Sequence, residues 1–142
     1  MQVQIPAQER NWAMAAHLSA LVAVAGMPFG HILGPLIVYL IKGHESEFVG
    51  EHARASLNYQ ISISIYVLIA VLVALAATFG FIAPMQWAAQ STVGYSLGAL
   101  WIAFGAFGLV ILLASFAFII LGTVAAGEGR PYTYPLAIRF LR

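Results

Sequence analysis

The sequence predicts an all-α integral membrane protein: a four-helix bundle whose first two helices form a short hairpin and whose C-terminal tail lies at the membrane interface. Composition is the first observation, because 62% of the 142 residues are hydrophobic and 8% are charged, against about 25% charged residues in soluble domains. The second observation is an uncharged run from Asn11 to Ile41. The third is that every Lys and Arg lies in the N-terminal segment, in the connector 42–54 or in the tail.

Apolar runs of the length of a membrane span place the four helices at about 9–25, 28–42, 53–80 and 94–125. A helix needs about 20 apolar residues to cross the hydrocarbon core of a bilayer, so the first two helices are at the lower limit. The tail 126–142 contains two prolines, which exclude a continuous helix there. We therefore expect a single membrane domain over residues 1–142.

The stretch AGMPFGHILGP, residues 25–35, decides how the first apolar run is organised. As one helix, residues 12–41 would be about 45 Å long, against a hydrocarbon core of about 30 Å. Gly26, Pro28 and Gly30 lie at the centre of this run, and Pro28 also disfavours helical geometry at the residue before it. We therefore predict a turn there and two short spans, with a re-entrant hairpin or a single kinked helix as the alternatives.

Charge placement agrees with the turn. With two short spans, the N-terminus, the connector and the tail all face the same side of the membrane, and that side then holds all six basic residues. Cytoplasmic segments of membrane proteins are enriched in Lys and Arg. A single kinked helix would instead place Arg10 across the membrane from the other five. We therefore expect both termini to be cytoplasmic.

The densest group of polar side chains spans the connector and the start of the third helix. Its members form the candidate polar functional face: His44, Glu47, Glu51, His52, Arg54, Asn58, Gln60 and Ser62. Polar side chains inside a span usually hydrogen-bond across helices, and this structural role is the favoured interpretation. A water-filled vestibule or a ligand pocket facing the cytoplasm is the alternative. His17 and His31 are each expected to be a hydrogen-bonded helix contact or a residue at the membrane interface, because a proton relay would need an acidic partner that the spans lack.

The sequence gives no support for catalysis or for a bound cofactor. It contains no Cys and no Asp, and it lacks the nucleophile-elbow and phosphate-loop motifs. Its His and Glu residues do not show the spacing of zinc sites. The net charge of +1 provides no basic surface for nucleic acid. We therefore predict a protein that is not an enzyme, with no catalytic, cofactor-binding or metal-binding residues and no nucleic-acid partner.

Small residues recur along the fourth helix at roughly heptad spacing. The candidate helix-packing stripe is Gly94, Gly98, Gly105 and Gly108, and Ser115 and Gly122 continue it. Small side chains let two helix backbones approach closely in lipid. The stripe is predicted to pack either on the protein's own first or third helix or on a partner, which is another membrane protein or a second copy of the chain.

Aromatic and basic residues alternate loosely in the tail, as they do at a lipid headgroup boundary. The candidate headgroup contacts are Arg130, Arg139 and Arg142, each worth about 1 kcal/mol near an anionic surface. Membrane lipids are therefore predicted partners. The alternative is that the tail docks beneath the bundle and that Arg130 or Arg139 pairs with the acidic connector.

Four segments, in order, resemble one family: ERNWAMAAHLSAL, PFGHILGPLIVYLIK, FVGEHARASLNYQISISIY and YTYPLAIRFLR. The family consists of small bacterial membrane proteins of unknown function, grouped with the small channel-forming subunit of the chloroplast inner-envelope protein translocon. The resemblance to the bacterial members covers nearly the whole chain, whereas the likeness to the chloroplast subunit rests on four spans and on the segment around Phe48–Gln60. The resemblance implies a four-helix fold in the bacterial inner (plasma) membrane.

Two functions are consistent with these features. The preferred one is a non-enzymatic membrane subunit or assembly factor that acts through helix–helix contacts and through contacts of its cytoplasmic face. The alternative is a small translocon-like channel or carrier, with a polar path at the cytoplasmic start of the third helix. The two differ in whether the polar residues there are buried against neighbouring groups or face a water-filled cavity.

Overall fold

The computed structural model describes residues 4–82 and 90–142, which form helices and irregular segments. The elements are α1 (Ala7–Leu18), a 3₁₀ segment (Ser19–Ala25), α2 (Gly30–Lys42), α3 (Glu47–Ile82) and α4 (Gln90–Gly127). The described residues contain no strand. The prediction of an all-α fold with four helices is therefore confirmed.

The chain turns between the 3₁₀ segment and α2, at the stretch that the sequence singled out. Gly26 has a φ of +87° and Phe29 a φ of +58°, so both lie in the left-handed region that glycine adopts most readily. Helix α1 continues beyond Leu18 as the 3₁₀ segment, and both contact α2. The first two helices thus form a hairpin.

Glycine allows the two arms of this hairpin to approach closely. A Cβ atom built on Gly30 would lie 2.9 Å from the backbone nitrogen of Ala23, and one built on Gly34 would overlap the carbonyl oxygen of Ser19. Gly30 and Gly34 have the G-x-x-x-G spacing, which places two small residues on one face of a helix. Close backbone contact at these two positions therefore sets the distance between the arms.

Helix α3 begins at Glu47, earlier than the predicted start near Ala53, because Ser46 caps it. The Ser46 hydroxyl accepts a hydrogen bond from the backbone N–H of Val49 at 3.3 Å, which satisfies a free donor of the first turn. The same hydroxyl donates to the carboxylate of Glu9 in α1. Glu47 in the first turn also complements the positive end of the helix dipole. Much of the segment expected to be a connector is therefore helical.

Helices α3 and α4 are long and apolar enough to cross a membrane, over Glu47–Gly80 and Tyr95–Gly127. In the most apolar 18-residue windows of the two helices, 11% and 22% of the residues are buried, far less than in the core helix of a soluble protein. Helix α2 has 13 residues and a length of about 20 Å, less than the hydrocarbon core of about 30 Å. Two helices thus have the length and composition of a span, and spanning by the first two stays a prediction.

The chain is divided into two compact units. The first contains the residues up to Ile63 together with Ser115–Arg142, and the second is Ser64–Ala114. The first unit has a buried core, whose two clusters contain Ala16, Val38, Val49 and Ala53, and Ala20, Tyr59, Ile119 and Tyr134. In the second unit large apolar side chains lie at the surface, among them Ile102 at 75% exposure and Val73 at 63%. Extensive exposed apolar area is typical of a surface that contacts lipid or another protein.

The small-residue stripe of α4 has packed and unpacked members. A Cβ atom built on Gly122 would lie 2.9 Å from Nδ1 of His17, and the Ser115 hydroxyl lies 2.8 Å from that of Tyr59. At three other members a Cβ atom would meet no described atom within 4 Å: Gly98, Gly105 and Gly108. The side-chain surroundings of Gly94 lie outside the described residues. Within the described part of the chain, the stripe therefore packs on α1 and α3 only at its C-terminal end.

The substitution Gly34→Ala should destabilise the hairpin, because the new Cβ atom meets the backbone of Ser19 and one arm must move. We expect the free energy of unfolding to fall by about 1–3 kcal/mol, as is typical of overpacking. The matched control is Gly98→Ala, where the Cβ atom has open space and alanine favours the helix by about 0.5–1 kcal/mol. Chemical unfolding in detergent measures both variants, and equal stabilities would contradict the close packing of the hairpin.

Candidate functional site

The residues of the candidate polar face do not share one environment. His44, Glu47 and Glu51 are exposed. Arg54 is half-buried, and its guanidinium group lies 6.0 Å from the centre of the Tyr39 ring. The remaining four residues are buried: His52, Asn58, Gln60 and Ser62. The face therefore divides into an exposed part near the start of α3 and a largely buried part further along the helix.

Asn58 holds the end of the tail. Its Oδ1 atom accepts hydrogen bonds from the backbone N–H groups of Phe140 and Leu141, at 3.1 and 2.9 Å. Its Nδ2 atom donates to the carbonyl oxygen of Leu141 at 3.0 Å. Because a side-chain amide offers both an acceptor and donors, Asn58 pairs with the tail much as a backbone peptide group would.

Ser62 fixes the tail one helical turn further along α3. Its hydroxyl donates to the carbonyl oxygen of Asn58 at 2.6 Å and accepts a hydrogen bond from the backbone N–H of Ile138 at 2.8 Å. The hydroxyl hydrogen and an oxygen lone pair are thus both used. Together, Asn58 and Ser62 fasten residues 138–141 of the tail to α3.

A chain of three hydrogen-bonded rings joins α1, α3 and the tail. The Nδ1 atom of His17 lies 2.8 Å from the hydroxyl of Tyr134, and its Nε2 atom lies 2.8 Å from Nδ1 of His52. His17 is fully buried, and His52 and Tyr134 are buried as well. Both ring nitrogens of His17 therefore have a partner inside the protein, one from α3 and one from the tail.

Each of these two hydrogen bonds uses one ring nitrogen of His17. Burial raises the pKa of Tyr134 above its usual range, so its hydroxyl keeps its hydrogen. A neutral imidazole has one donor and one acceptor nitrogen, so His17 donates at one ring nitrogen and accepts at the other. Among the described residues, Nε2 of His52 has no hydrogen-bond partner.

Tyr59 and Gly122 complete the surroundings of these rings. The Tyr59 ring stacks on that of Tyr134, with 4.4 Å between centroids and 17° between planes. Its hydroxyl contacts Ser115 of α4 at 2.8 Å. Gly122 leaves room for the His17 ring, because a side chain there would collide with the imidazole. Helices α1, α3 and α4 and the tail thus meet around His17 and Tyr134.

The tail arginines are placed differently from one another. Arg130 forms an ion pair with Glu128, two residues away, and both side chains are exposed. Arg139 and Arg142 instead line a cavity of about 550 Å³ between α3 and the tail, and Arg54 lines it too. The pairing of Arg130 with the acidic connector, which the sequence allowed, is therefore not formed.

Three of the buried polar side chains attach the tail. Asn58 and Ser62 bond to tail backbone, and His17 bonds to a tail hydroxyl. Across residues 4–82 and 90–142, no group of three or more His, Cys, Asp or Glu side chains could hold a metal ion. Asn58 and Ser62, which were predicted to line the polar path, use their polar atoms in hydrogen bonds with the tail. The Ser62 hydroxyl also bonds to a carbonyl oxygen of α3 itself.

The sequence indicated a hydrogen bond for His17 but not its partners. His17 and Tyr134 are separated by 117 positions, so no local spacing connects them. Tyr134 follows the α4 helix in a segment whose aromatic and basic composition predicted a headgroup contact. The one signal in the sequence was a second histidine, His52, at the start of an apolar helix. An imidazole that is buried there needs hydrogen-bond partners.

The substitution Tyr134→Phe should destabilise the first unit, because it removes the hydroxyl and leaves Nδ1 of His17 buried without its partner. The expected loss is about 1–3 kcal/mol in the free energy of unfolding. Tyr95→Phe is the matched control, since Tyr95 is 80% exposed and its substitution should change stability by less than about 0.5 kcal/mol. Equal stabilities of the two variants in detergent would show that the Tyr134 hydroxyl contributes nothing to the fold.

Substitutions of Asn58 and Ser62 should release different parts of the tail. Asn58→Ala removes the acceptor of the Leu141 amide and one of the two acceptors of the Phe140 amide, which also donates to the carbonyl oxygen of Ile138 at 3.1 Å. Ser62→Ala removes the acceptor of the Ile138 amide. We expect each variant to raise hydrogen exchange about five- to tenfold at its own amides, for bonds worth about 1 kcal/mol. Each variant serves as the control for the other in amide-resolved exchange measurements. Fast, unprotected exchange at the amides of Ile138 and Leu141 in the wild-type protein would contradict the attachment.

Comparison with known proteins identifies the family of this sequence. The family model described as the magnetosome magnetite crystal formation protein family matches residues 8–141. No curated protein and no solved structure matches the chain. The expected relation to a small bacterial family is confirmed, and the description of that family names magnetite crystal formation. The expected relation to the chloroplast translocon subunit is not shown. Because the match covers nearly the whole sequence, the chain belongs to the magnetosome magnetite crystal formation protein family.

Proposed function

We propose that this chain is a non-enzymatic integral membrane protein that takes part in the formation of magnetite crystals. The family match over residues 8–141 is the observation that carries this proposal. The proposed place of action is the bacterial inner membrane, with both termini in the cytoplasm. Helices α3 and α4 support a membrane location by their length and composition, and the confinement of the basic residues to three segments supports the orientation.

The use of the buried polar side chains supports a structural rather than a catalytic role. Asn58 and Ser62 bond to the tail backbone, and His17 bonds to Tyr134 and His52. Groups that are fully occupied in holding a fold do not offer a nucleophile or a general base to a substrate. The protein is proposed to act as a subunit or assembly factor, through contacts of its helices and of its cytoplasmic face.

The proposed partners are membrane lipids and either another membrane protein or a second copy of the chain. The support comes from the second unit, Ser64–Ala114, whose large apolar side chains lie at its surface. Gly98, Gly105 and Gly108 leave open space beside α4 in the described structure, which would allow a neighbouring helix to approach closely.

The channel or carrier alternative has weaker support. A polar path would need the amide of Asn58 and the hydroxyl of Ser62 to face water. Both groups instead hydrogen-bond to residues 138–141 of the tail. We therefore keep the non-enzymatic subunit as the proposed function.

Complementation tests the proposal. In a magnetite-forming bacterium from which the resident member of this family has been deleted, expression of the chain should restore crystal number and size, measured by electron microscopy. The double variant Asn58→Ala/Ser62→Ala, which releases residues 138–141 of the tail from α3, should restore crystals less well at equal abundance in the membrane. Tyr95→Phe is the control that should act as the wild type. Crystals that are the same with and without the chain would contradict the proposal.

Reconstitution separates the proposed function from the channel alternative. Liposomes that contain the purified protein should release a trapped small ion no faster than empty liposomes. Release that depends on the protein and is abolished by Asn58→Leu would favour the channel and overturn the subunit proposal.

A further inference from the structure

The cavity between α3 and the tail is lined by three guanidinium groups. They belong to Arg54 of α3 and to Arg139 and Arg142 of the tail, and the cavity volume is about 550 Å³. This volume lies in the range of small-molecule sites, about 300–1,000 Å³. Glu51 contributes the one side-chain carboxylate of the lining, and Tyr132 and Thr133 add hydroxyl groups. The lining therefore carries an excess of positive charge together with neutral donors.

None of these three guanidinium groups has a carboxylate partner among the described residues. The ion pairs found there are Lys42 with Glu45 and Arg130 with Glu128. Arg54 is instead held beside the face of the Tyr39 ring, at 6.0 Å from its centre, a contact that orients a cation without neutralising it. Arginine matches the oxygens of a phosphate group with two parallel hydrogen bonds. Unneutralised arginines around one cavity therefore fit a phosphate-bearing anion.

The place of the cavity in the sequence relates it to the membrane boundary. Residues 55–127 contain no charged side chain, and Arg54 immediately precedes this segment. The other two arginines lie in the tail that follows it. The three cavity arginines therefore lie at the two charged ends of one long apolar segment. Phospholipid headgroups are found at such boundaries.

We propose that this cavity binds the phosphate group of an anion, held by Arg54, Arg139 and Arg142. An anionic phospholipid headgroup and free phosphate offer the same group. The position beside the apolar segment favours the lipid. Binding at this cavity is independent of the proposed role in crystal formation, because it is measured on the purified chain alone.

The test uses the full chain, delipidated and purified in a non-ionic detergent. The probes are dioctanoyl phosphatidylglycerol, dioctanoyl phosphatidylcholine and inorganic phosphate, and the readout is the saturable rise in thermal stability that a ligand of the native state produces. Phosphatidylglycerol should stabilise the wild type saturably and more strongly than phosphatidylcholine. Each substitution of Arg54, Arg139 or Arg142 by Gln should weaken this binding about fivefold, and the triple variant about a hundredfold.

Arg130→Gln is the matched control, because it removes the same charge from an exposed side chain that does not line the cavity. It should bind phosphatidylglycerol as the wild type does. Arg139 and Arg142 are exposed, so their single variants should fold even if the triple variant does not.

The outcomes distinguish the sources of the anion and the failure of the proposal. Protection by inorganic phosphate that is lost in the Arg139→Gln and Arg142→Gln variants would assign the site to free phosphate, within the proposal. Equal binding of phosphatidylcholine and phosphatidylglycerol would overturn it, as would binding that Arg130→Gln weakens as much as Arg139→Gln. No saturable effect of any probe would overturn it as well.

Discussion

In the interior of the first unit, the imidazole of His17 has a hydrogen-bonding atom at each of its ring nitrogens, one from Tyr134 and one from His52. A buried polar atom that loses its partner costs about 1–3 kcal/mol. Satisfying both nitrogens therefore requires α3 at one edge of the imidazole and the tail at the other. The same requirement acts on Asn58 and Ser62, whose polar atoms are completed by tail backbone. A segment with no regular secondary structure is thereby given a fixed course across the helices.

The second unit, Ser64–Ala114, follows a different rule. It has no charged side chain, and its large apolar residues lie at its surface. Backbone hydrogen bonds inside the two helices satisfy the peptide groups, which is the condition for a segment in lipid. Polar contacts within the protein thus fix the first unit. The second unit instead has an apolar surface of the kind that contacts lipid or another protein.

Local signals in the sequence were sufficient for the helices and for the turn. The apolar runs predicted α3 and α4, and Gly26 with Pro28 predicted the turn where Gly26 adopts a positive φ. The start of α3 was placed too late, because the charged residues around Glu47 resemble a solvated connector, while the capping by Ser46 depends on one hydroxyl.

Contacts between distant residues were out of reach. Glycine spacing on α4 predicted close packing, yet the closest backbone approach of the hairpin is at Gly30 and Gly34. A small residue permits a close contact, but it does not specify which helix makes it. For the same reason, the polarity of Asn58 and Ser62 predicted hydrogen bonds without naming the tail, whose residues lie 76 to 83 positions away.

The distance of 117 positions between His17 and Tyr134 also sets the order in which the protein can be completed. Chains are synthesised from the N-terminus, and contacts between residues far apart in sequence form late. Helices α1 and α3 can therefore be made and brought together while His17 still lacks the Tyr134 hydroxyl. Only after α4 has been synthesised does the tail become available to occupy Asn58 and Ser62. Tyr134 and residues 138–141 thus complete, after α4, the interior begun by the first helix.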